Sequence, residues 1–409
     1  MSKPKHEVAD IVSIFARDKE NIRRLTVTQK RVVEDILYCR TVGMGGHSSQ
    51  CDKCRHMEIS YNSCRNRHCP KCQSLAKAKW LEARKNDLLP VRYCHAVFTL
   101  PHELNDLVLY NKKVALNGLF DTVSQILKTF SENTKHGLLG QLGFTLVLHT
   151  WNQRITPHYH IHCVIPAGVY DKNTGDWIDA RYKFLFPVKA LSKVFKGKYL
   201  SFLRKAYQNR RLGFPPAIES LRKKKAFDDL LSTAMGKDWV VYAKPPFKSP
   251  SRVLDYLGQY THKVAIGNHR ITKVSKKEVT FWYKDRDFKK NRYSFQVRTC
   301  HLSAEKFVRR FLLHELPMGF TRIRHYGFLG NNAKTKRLGQ IREAIGAPAK
   351  EEKATSRKKD TRRLMLELTG IDIASCPQCR VGKLRKIEEF DGVYRRNWNW
   401  GRSSPSVVV

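Results

Sequence analysis

The chain has 409 residues and a formal net charge of +41, from 77 Lys and Arg against 36 Asp and Glu. A content of 41 % hydrophobic and 11 % aromatic residues fits globular folding rather than disorder and allows two or three domains with a sizeable core. Such a surplus of cations is out of place in an enzyme of small metabolites. It fits a protein that neutralises phosphates and releases their counterions, with nucleic acid ahead of an anionic membrane.

The opening "MSKPKHEVAD" has no apolar core or small-residue cleavage site. No apolar run reaches the ~20 residues of a spanning helix. The expectation is a soluble, cytoplasmic, nucleoid-associated bacterial protein with no membrane partner. The 11 cysteines, odd in number and clustered as CxxC pairs, point to metal rather than a disulfide framework.

In chain order, "VADIVSIFARDKENI" and "TVTQKRVVEDILYCR" space their apolar residues three and four apart, which predicts helices over residues 1–40. A Cys/His-dense block follows. In "CDKCRHMEISYNSCRNRHCPKC" the pairs Cys51/Cys54 and Cys69/Cys72 are separated by fourteen residues. Two CxxC turns this close predict one structural zinc site with no open position. Cys39, His47, Cys64 and His68 are the candidates for a second zinc; the plainer alternative makes Cys64 a small buried residue and His68 a surface one. Arg55, Arg65, Arg67 and Lys71 surround the block and are expected to face DNA. The lone pair Cys376/Cys379 supplies two ligands at most, as a ribbon remnant or by borrowing partners from elsewhere.

After the helical connector "QSLAKAKWLEARKNDLL", residues 92–300 mix strands and helices. "RYCHAVFTL" reads as a core strand, "PHELNDLVLYNKKVALNGLFDTVSQILKTF" as helix, and "FTLVLHTW" with "HYHIHCVIPAG" as an antiparallel pair joined by "NQRITP". "EVTFWYKD" and "YSFQVRTC" predict a further hairpin. The expected fold class is α+β, a central, mostly antiparallel sheet with helices, preceded by a helical and zinc-binding N-terminal domain. The expected boundaries are 1–90, 91–332 and a basic linker with its CxxC region over 333–409. Aromatics among cations at 196–211 and 282–293 could stack bases or be ordinary surface, and the 221–225 run "LRKKK" suits phosphate contact.

Two constellations carry chemistry. His158, His160 and His162 alternate with Tyr159 and Ile161, so the imidazoles share one strand face. Buried together they need partners, and a divalent metal supplies one. His160 and His162 form the pair; His149 on the preceding strand is the third ligand, with His158, Gln153 and a nearby helix as rivals. In "SPSRVLDYLGQYTHK", Tyr256 and Tyr260 are four apart and emerge from one helix face, flanked by Arg252 and Lys263 as phosphate contacts. On that helix alone the plainer alternative is two tyrosines edging an amphipathic surface.

Together, "YNSCRNRHCPKC", "FTLPHEL", "LHTWNQ", "HYHIHCVIPAG", "YLGQYTHKVAIGNHRI" and "RIRHYGFLG" resemble the two-tyrosine HUH transposases of the insertion-sequence-ninety-one type, over residues 30 to 335. Asn152 stands where glycine is expected and Tyr159 where proline is common. The resemblance implies an HUH endonuclease-like fold and a rolling-circle transposase. It implies His160 and His162 as ligands of Mg²⁺ or Mn²⁺, and Tyr256 and Tyr260 as nucleophiles that form 5′-phosphotyrosine on single-stranded or hairpin DNA at transposon ends and target. No G-x-x-x-x-G-K-[ST] motif is present, so unwinding falls to a host helicase. A plasmid relaxase or replication initiator would use the same site. A zinc-dependent DNA-binding regulator would not cleave, and a metal hydrolase would leave no protein–DNA adduct.

Overall fold

Caps and apolar spacing set the first elements. In α1 (Val8–Ala16) Glu7 and Asp10 close a reciprocal capping box, and Val8, Ile11, Val12 and Phe15 are buried at helical spacing. After α2 (Lys19–Arg23), Thr26 and Gln29 cap α3 (Val27–Tyr38) in the same way. The computed structural model describes residues 4–132, 138–180, 186–247, 253, 258, 261–285, 295–330, 332, 334–348 and 361–396. Its strands are β1 (Gly45–Cys51), β2 (Met57–Tyr61), β3 (Tyr93–Thr99), β4 (Phe144–Trp151), β5 (Pro157–Pro166), β6 (Gly168–Tyr170) and β7 (Trp177–Asp179). They continue as β8 (Val241–Phe247), β9 (Ile271–Val274), β10 (Val279–Asp285), β11 (Gln296–Leu302), β12 (Ile323–Tyr326) and β13 (Leu384–Asp391).

The chain divides into two compact units, 1–80 with 264–315 and 351–409, and 81–263 with 316–350. This differs from the three consecutive segments the sequence suggested, and the packing shows why. In the first unit β13 adds to the edge of β1, giving the order β13-β1-β2. The helix Ala304–Leu312, capped by Ser303, buries Phe307, Val308, Phe311 and Leu312 and packs on α1. The hairpin expected from "EVTFWYKD" and "YSFQVRTC" forms as β10 and β11. With β9 it makes a separate three-stranded sheet in this unit and does not join the central sheet.

The second unit is built on a five-stranded antiparallel sheet in the order β12-β4-β5-β3-β8. The α+β class with an antiparallel sheet is as the sequence predicts. Leu148, Ile161 and Phe98 lie opposite one another across β4, β5 and β3, as do Leu146, Cys163 and Ala96. All six are buried in a core completed by the helices Lys112–Ser131 and Val188–Gln208. Residues between them in each strand point to the other face: His149 and Val147 on β4, His160 and His162 on β5, and His95 and Val97 on β3.

Tyr199, within the 196–211 stretch, is fully buried and its hydroxyl donates to the Ala115 carbonyl at 3.1 Å. It belongs to the core and cannot stack a base. Residues 222–225 are exposed. No helix among the described residues is long and apolar enough to cross a membrane.

Ile161 is fully buried between the two histidines in sequence and anchors the core side of β5. Ile161→Ala should cost about 2–5 kcal/mol of stability, read as a lower urea midpoint; an unchanged midpoint would contradict this packing.

Candidate active site and thiol clusters

The register of β4 on β5 sets His149 directly opposite His160, and Val147 opposite His162. One ring nitrogen from each of His149, His160 and His162 falls within 4.8 Å of the others, the span of a single ion's coordination shell. His149 and His162 are buried and His160 is half-buried. Burial drives His160 down to about 3, helped by the neighbouring charge of His158. Burial likewise holds His162 well below the ordinary histidine range, reinforced by His149, His160 and His95. His160 and His162 are therefore neutral near pH 7, the state in which imidazole ligates.

The second atom of each ring in the pair is also placed. His160 Nδ1 lies 3.1 Å from the His158 carbonyl oxygen, so Nδ1–H donates there and Nε2 is left to face an ion. His162 Nδ1 lies 3.1 Å from Nε2 of His95, a residue fully buried on β3. His95 carries no local signal in the sequence. It reaches the histidine face only because β3 pairs with β5, where Val97, two positions along the strand, lies opposite His162. His158 is half-buried with its ring centroid 4.9 Å from that of His160, yet it is not part of the three-nitrogen group. Gln153 is exposed in the hairpin turn. The group that forms therefore includes His149.

The two departures from the family pattern have clear structural roles. Asn152 Oδ1 accepts from the amides of Arg154 at 2.9 Å and Thr156 at 3.1 Å, and its Nδ2 donates to the Thr156 hydroxyl at 2.6 Å. The side chain thus closes the β4–β5 turn that brings His149 to His160. Tyr159 is buried in the core on the far face from the histidines.

Arg252, Tyr256 and Tyr260 lie outside the described residues. Val253 and Gly258, from the same stretch, are helical and buried, and Thr261 is fully buried. Lys263 is close enough for its charge to act on both His160 and His162. Its carbonyl accepts from Arg322 at 3.1 Å, and the Arg322 carbonyl accepts from the Leu148 amide of β4 at 2.9 Å. The chain immediately after the tyrosines is thereby fastened beside the histidine face.

The cysteines group differently from the expected pattern. Cys51/Cys54 and Cys69/Cys72 do not face each other. Cys69 and Cys72 join Cys39 and Cys64, while Cys51 and Cys54 join Cys376 and Cys379. In the first group Sγ atoms are 3.5 Å apart for Cys39 and Cys72, and 3.6 Å apart for Cys64 and Cys72 and for Cys69 and Cys39. A tetrahedron of thiolates about 2.3 Å from zinc has edges of about 3.8 Å, so the group fits that ion. The sulfurs also bias one another: Cys64 pulls Cys39 down to about 7, while Cys39 pushes Cys64 and Cys69 up. Four thiolates this close need a cation before all can ionise.

His47 and His68 enter neither thiol group. His47 lies within β1, paired with Glu389 and Ser60 across the sheet. The His68 amide donates to Asn66 Oδ1 at 2.8 Å in the turn before Cys69. Of the cations expected to face DNA, Arg65 is exposed. Lys71 instead pairs with Glu7 at 2.8 Å, and Arg67 is half-buried with Glu315 as its electrostatic partner. Both hold the first unit together.

Comparison with known proteins agrees with this architecture. A family described as "Putative transposase" matches residues 143–337, and a "Transposase zinc-binding domain" of the insertion-sequence-ninety-one type matches residues 11–100. The chain is 41 % identical over 397 residues to the putative transposase y4qJ of Sinorhizobium fredii (strain NBRC 101917 / NGR234), covering 96 % of this chain and 98 % of that protein. The chain belongs to the transposases of the insertion-sequence-ninety-one type. It is also 27 % identical over 316 residues to the transposase for insertion sequence element IS801 of Pseudomonas savastanoi pv. phaseolicola, covering 76 % of this chain and 73 % of that one. No solved structure matches it. In this transposase the matched zinc-binding domain contains all four cysteines of the first thiol group, a donor set suited to Zn²⁺.

Cys64→Ser should lower the zinc content of the purified transposase by about one ion per chain and expose the block to proteolysis. Unchanged zinc by atomic emission would refute the grouping of Cys64 with Cys39, Cys69 and Cys72.

Proposed function

We propose that this transposase cuts and rejoins single-stranded DNA by a rolling-circle route, with Tyr256 and Tyr260 as nucleophiles at a divalent-metal site made by His149, His160 and His162. The observation that carries the reading is the three-nitrogen group on one sheet face, with Lys263, three residues beyond Tyr260, acting on it. A bound Mg²⁺ or Mn²⁺ would polarise the scissile phosphate, with phosphate oxygens and water completing its shell. Three neutral imidazoles suit Mn²⁺ better than Mg²⁺.

A tyrosine hydroxyl has an ordinary pKa near ~10 and attacks poorly on its own. On a polarised phosphate its oxygen forms a bond to phosphorus while the P–O3′ bond breaks. The products are a 5′-phosphotyrosine and a free 3′-OH, with the phenol's proton balanced by protonation of the leaving oxygen. The second tyrosine accepts the strand at the other transposon end or at the target. Because the ester is exchanged and not hydrolysed, joining needs no nucleotide cofactor. Arg252 and Lys263 are assigned to the phosphates flanking the cut, Arg65 to the backbone beside the zinc block. The excess positive charge suits single-stranded or hairpin ends in the nucleoid, with unwinding left to a host helicase.

Incubation with labelled single-stranded DNA from the element's ends should give a denaturation-resistant protein–DNA adduct with Mn²⁺, less with Mg²⁺ and none with EDTA. The adduct should vanish when Tyr256 and Tyr260 are both Phe. Cleavage without adduct would indicate a metal hydrolase, and binding that ignores divalent metal a non-catalytic regulator; either result would sink the proposal.

For His162 to ligate through Nε2, its Nδ1–H must donate to Nε2 of His95, 3.1 Å away. His95→Ala should therefore weaken Mn²⁺ binding by roughly 10–100-fold. His95→Gln, whose amide oxygen can accept the same proton, should recover part of it. Titration calorimetry with Mn²⁺ alone reads both, and equal affinities in all three proteins would rule out the positioning role.

A further inference from the structure

The match to a transposase zinc-binding domain ends at residue 100, yet half of one thiol group comes from the far end of the chain. Cys51 ends β1 and Cys54 follows in the next turn, while Cys376 and Cys379 sit in the turn leading to β13. Cys51 Sγ is 3.7 Å from Cys379 Sγ, and Cys54 Sγ is 3.6 Å from Cys376 Sγ. All four sulfurs lie within 4.8 Å of one another and none is in a disulfide. These spacings match the roughly 3.8 Å edge of a zinc tetrathiolate.

The two turns are built alike. Each reads Cys-x-x-Cys-Arg, and the arginines, Arg55 and Arg380, both take left-handed backbone with φ of 62° and 59°. Backbone amides point at the sulfurs: Lys53 and Cys54 donate to Cys51 Sγ at 3.4 and 3.5 Å, and Gly382 donates to Cys379 Sγ at 3.3 Å. Such bonds stabilise metal-bound thiolates and fix their direction. A Cβ on Gly382 would fall 2.3 Å from Cys51 Sγ, so only glycine lets the second turn close on the first. The Asp52 amide donates to the Lys383 carbonyl at 3.0 Å, and the Asp52 carboxylate accepts from the Lys383 amide at 2.8 Å. The pairing of Cys51 with Leu384 then continues as the β1–β13 ladder.

We propose that Cys51, Cys54, Cys376 and Cys379 form a second tetrathiolate zinc site that staples β13 to the N-terminal zinc-binding block. Four protein ligands leave no open position, so the site is structural. The block is then complete only when the C-terminal end of the chain is present: a chain stopped before residue 376 lacks both a strand and half of a metal site. The inference does not rest on the tyrosine chemistry, and its readout needs no DNA.

The test is zinc stoichiometry in the full-length chain, in a His160→Ala/His162→Ala background so that the histidine site does not contribute. About two ions per chain are expected. The pair Cys376→Ser/Cys379→Ser should lose one, and Cys51→Ser/Cys54→Ser should also lose one. The quadruple variant should lose no more than either pair, because both pairs serve one ion. Zinc unchanged by Cys376→Ser/Cys379→Ser, or a further loss in the quadruple variant, would overturn the proposal. Cys379→His separates ligand loss from misfolding: it should keep the second ion and, loaded with Co²⁺, show weaker thiolate-to-cobalt absorption than the parent. Cobalt absorption identical to the parent's would mean that Cys379 is not a ligand, and would equally overturn it.

Discussion

The hydrogen-bonded register of β4 against β5 is the constraint on which the catalytic unit depends. It sets His149 across from His160 on one face and Leu148 across from Ile161 on the other. A slip of one residue would exchange the faces, sending imidazoles into the core and aliphatic side chains out. Two features prevent it. The core-side residues of three strands are buried together, and Asn152 closes the connecting turn with three side-chain hydrogen bonds. The same burial makes the histidines expensive as cations, so the face is held as neutral donors. An arrangement that is costly to protonate and rich in lone pairs is one that a divalent ion relieves.

The first unit is held by a different kind of constraint. Its cysteines meet across long stretches of chain: the pairing of Cys54 with Cys376 closes a separation of 322 residues. Loop-closure entropy rises by only about 0.6 kcal/mol per doubling of length, so this costs about 3 kcal/mol more than the fifteen-residue link from Cys54 to Cys69 would. Structural zinc contributes on the order of 10 kcal/mol in small domains. At the second site proposed above such a contribution would exceed the cost of the longer connection, and β13 on the edge of β1 already brings the second turn into place. Near neighbours in sequence had no decisive advantage.

That balance explains what the sequence could reveal. Strand periodicity made the histidine face legible, because one period of two fixes both which residues share a face and which enter the core. Apolar spacing did the same for α1 and α3. The clustered cysteines stood out in the sequence, but their grouping did not, since CxxC spacing identifies a turn and says nothing about which other turn it meets. His95 was overlooked for a related reason. One histidine in "RYCHAVFTL" has no local signal, and only the pairing of β3 with β5 sets it beside His162. The hairpin of β10 and β11 was legible as a hairpin but fell within the expected 91–332 segment and not in the first unit, because its local pattern carries no address. Lys71 and Arg67 show the limit of reading charge by proximity: Glu7 and Glu315, far away in the chain, engage them.

The order of the units along the chain adds a final point. The catalytic unit is interrupted after Lys263 by residues 264–315, which pack in the first unit with α1. The tyrosine-bearing stretch therefore leads directly into the segment that completes the zinc-binding unit. Its C-terminal end is not left loose, since Arg322, adjoining β12, bonds the Lys263 carbonyl and is itself tied to Leu148 of β4. Leu148 is next to His149 on the same strand. One short path of backbone and guanidinium hydrogen bonds thus joins the strand that carries His149 to Lys263, three residues beyond Tyr260. In the mechanism proposed above, a phenol delivered to a phosphate on the histidine face would need such a fixed point, because a nucleophile's orientation is worth more to its rate than its basicity when its pKa is unfavourable.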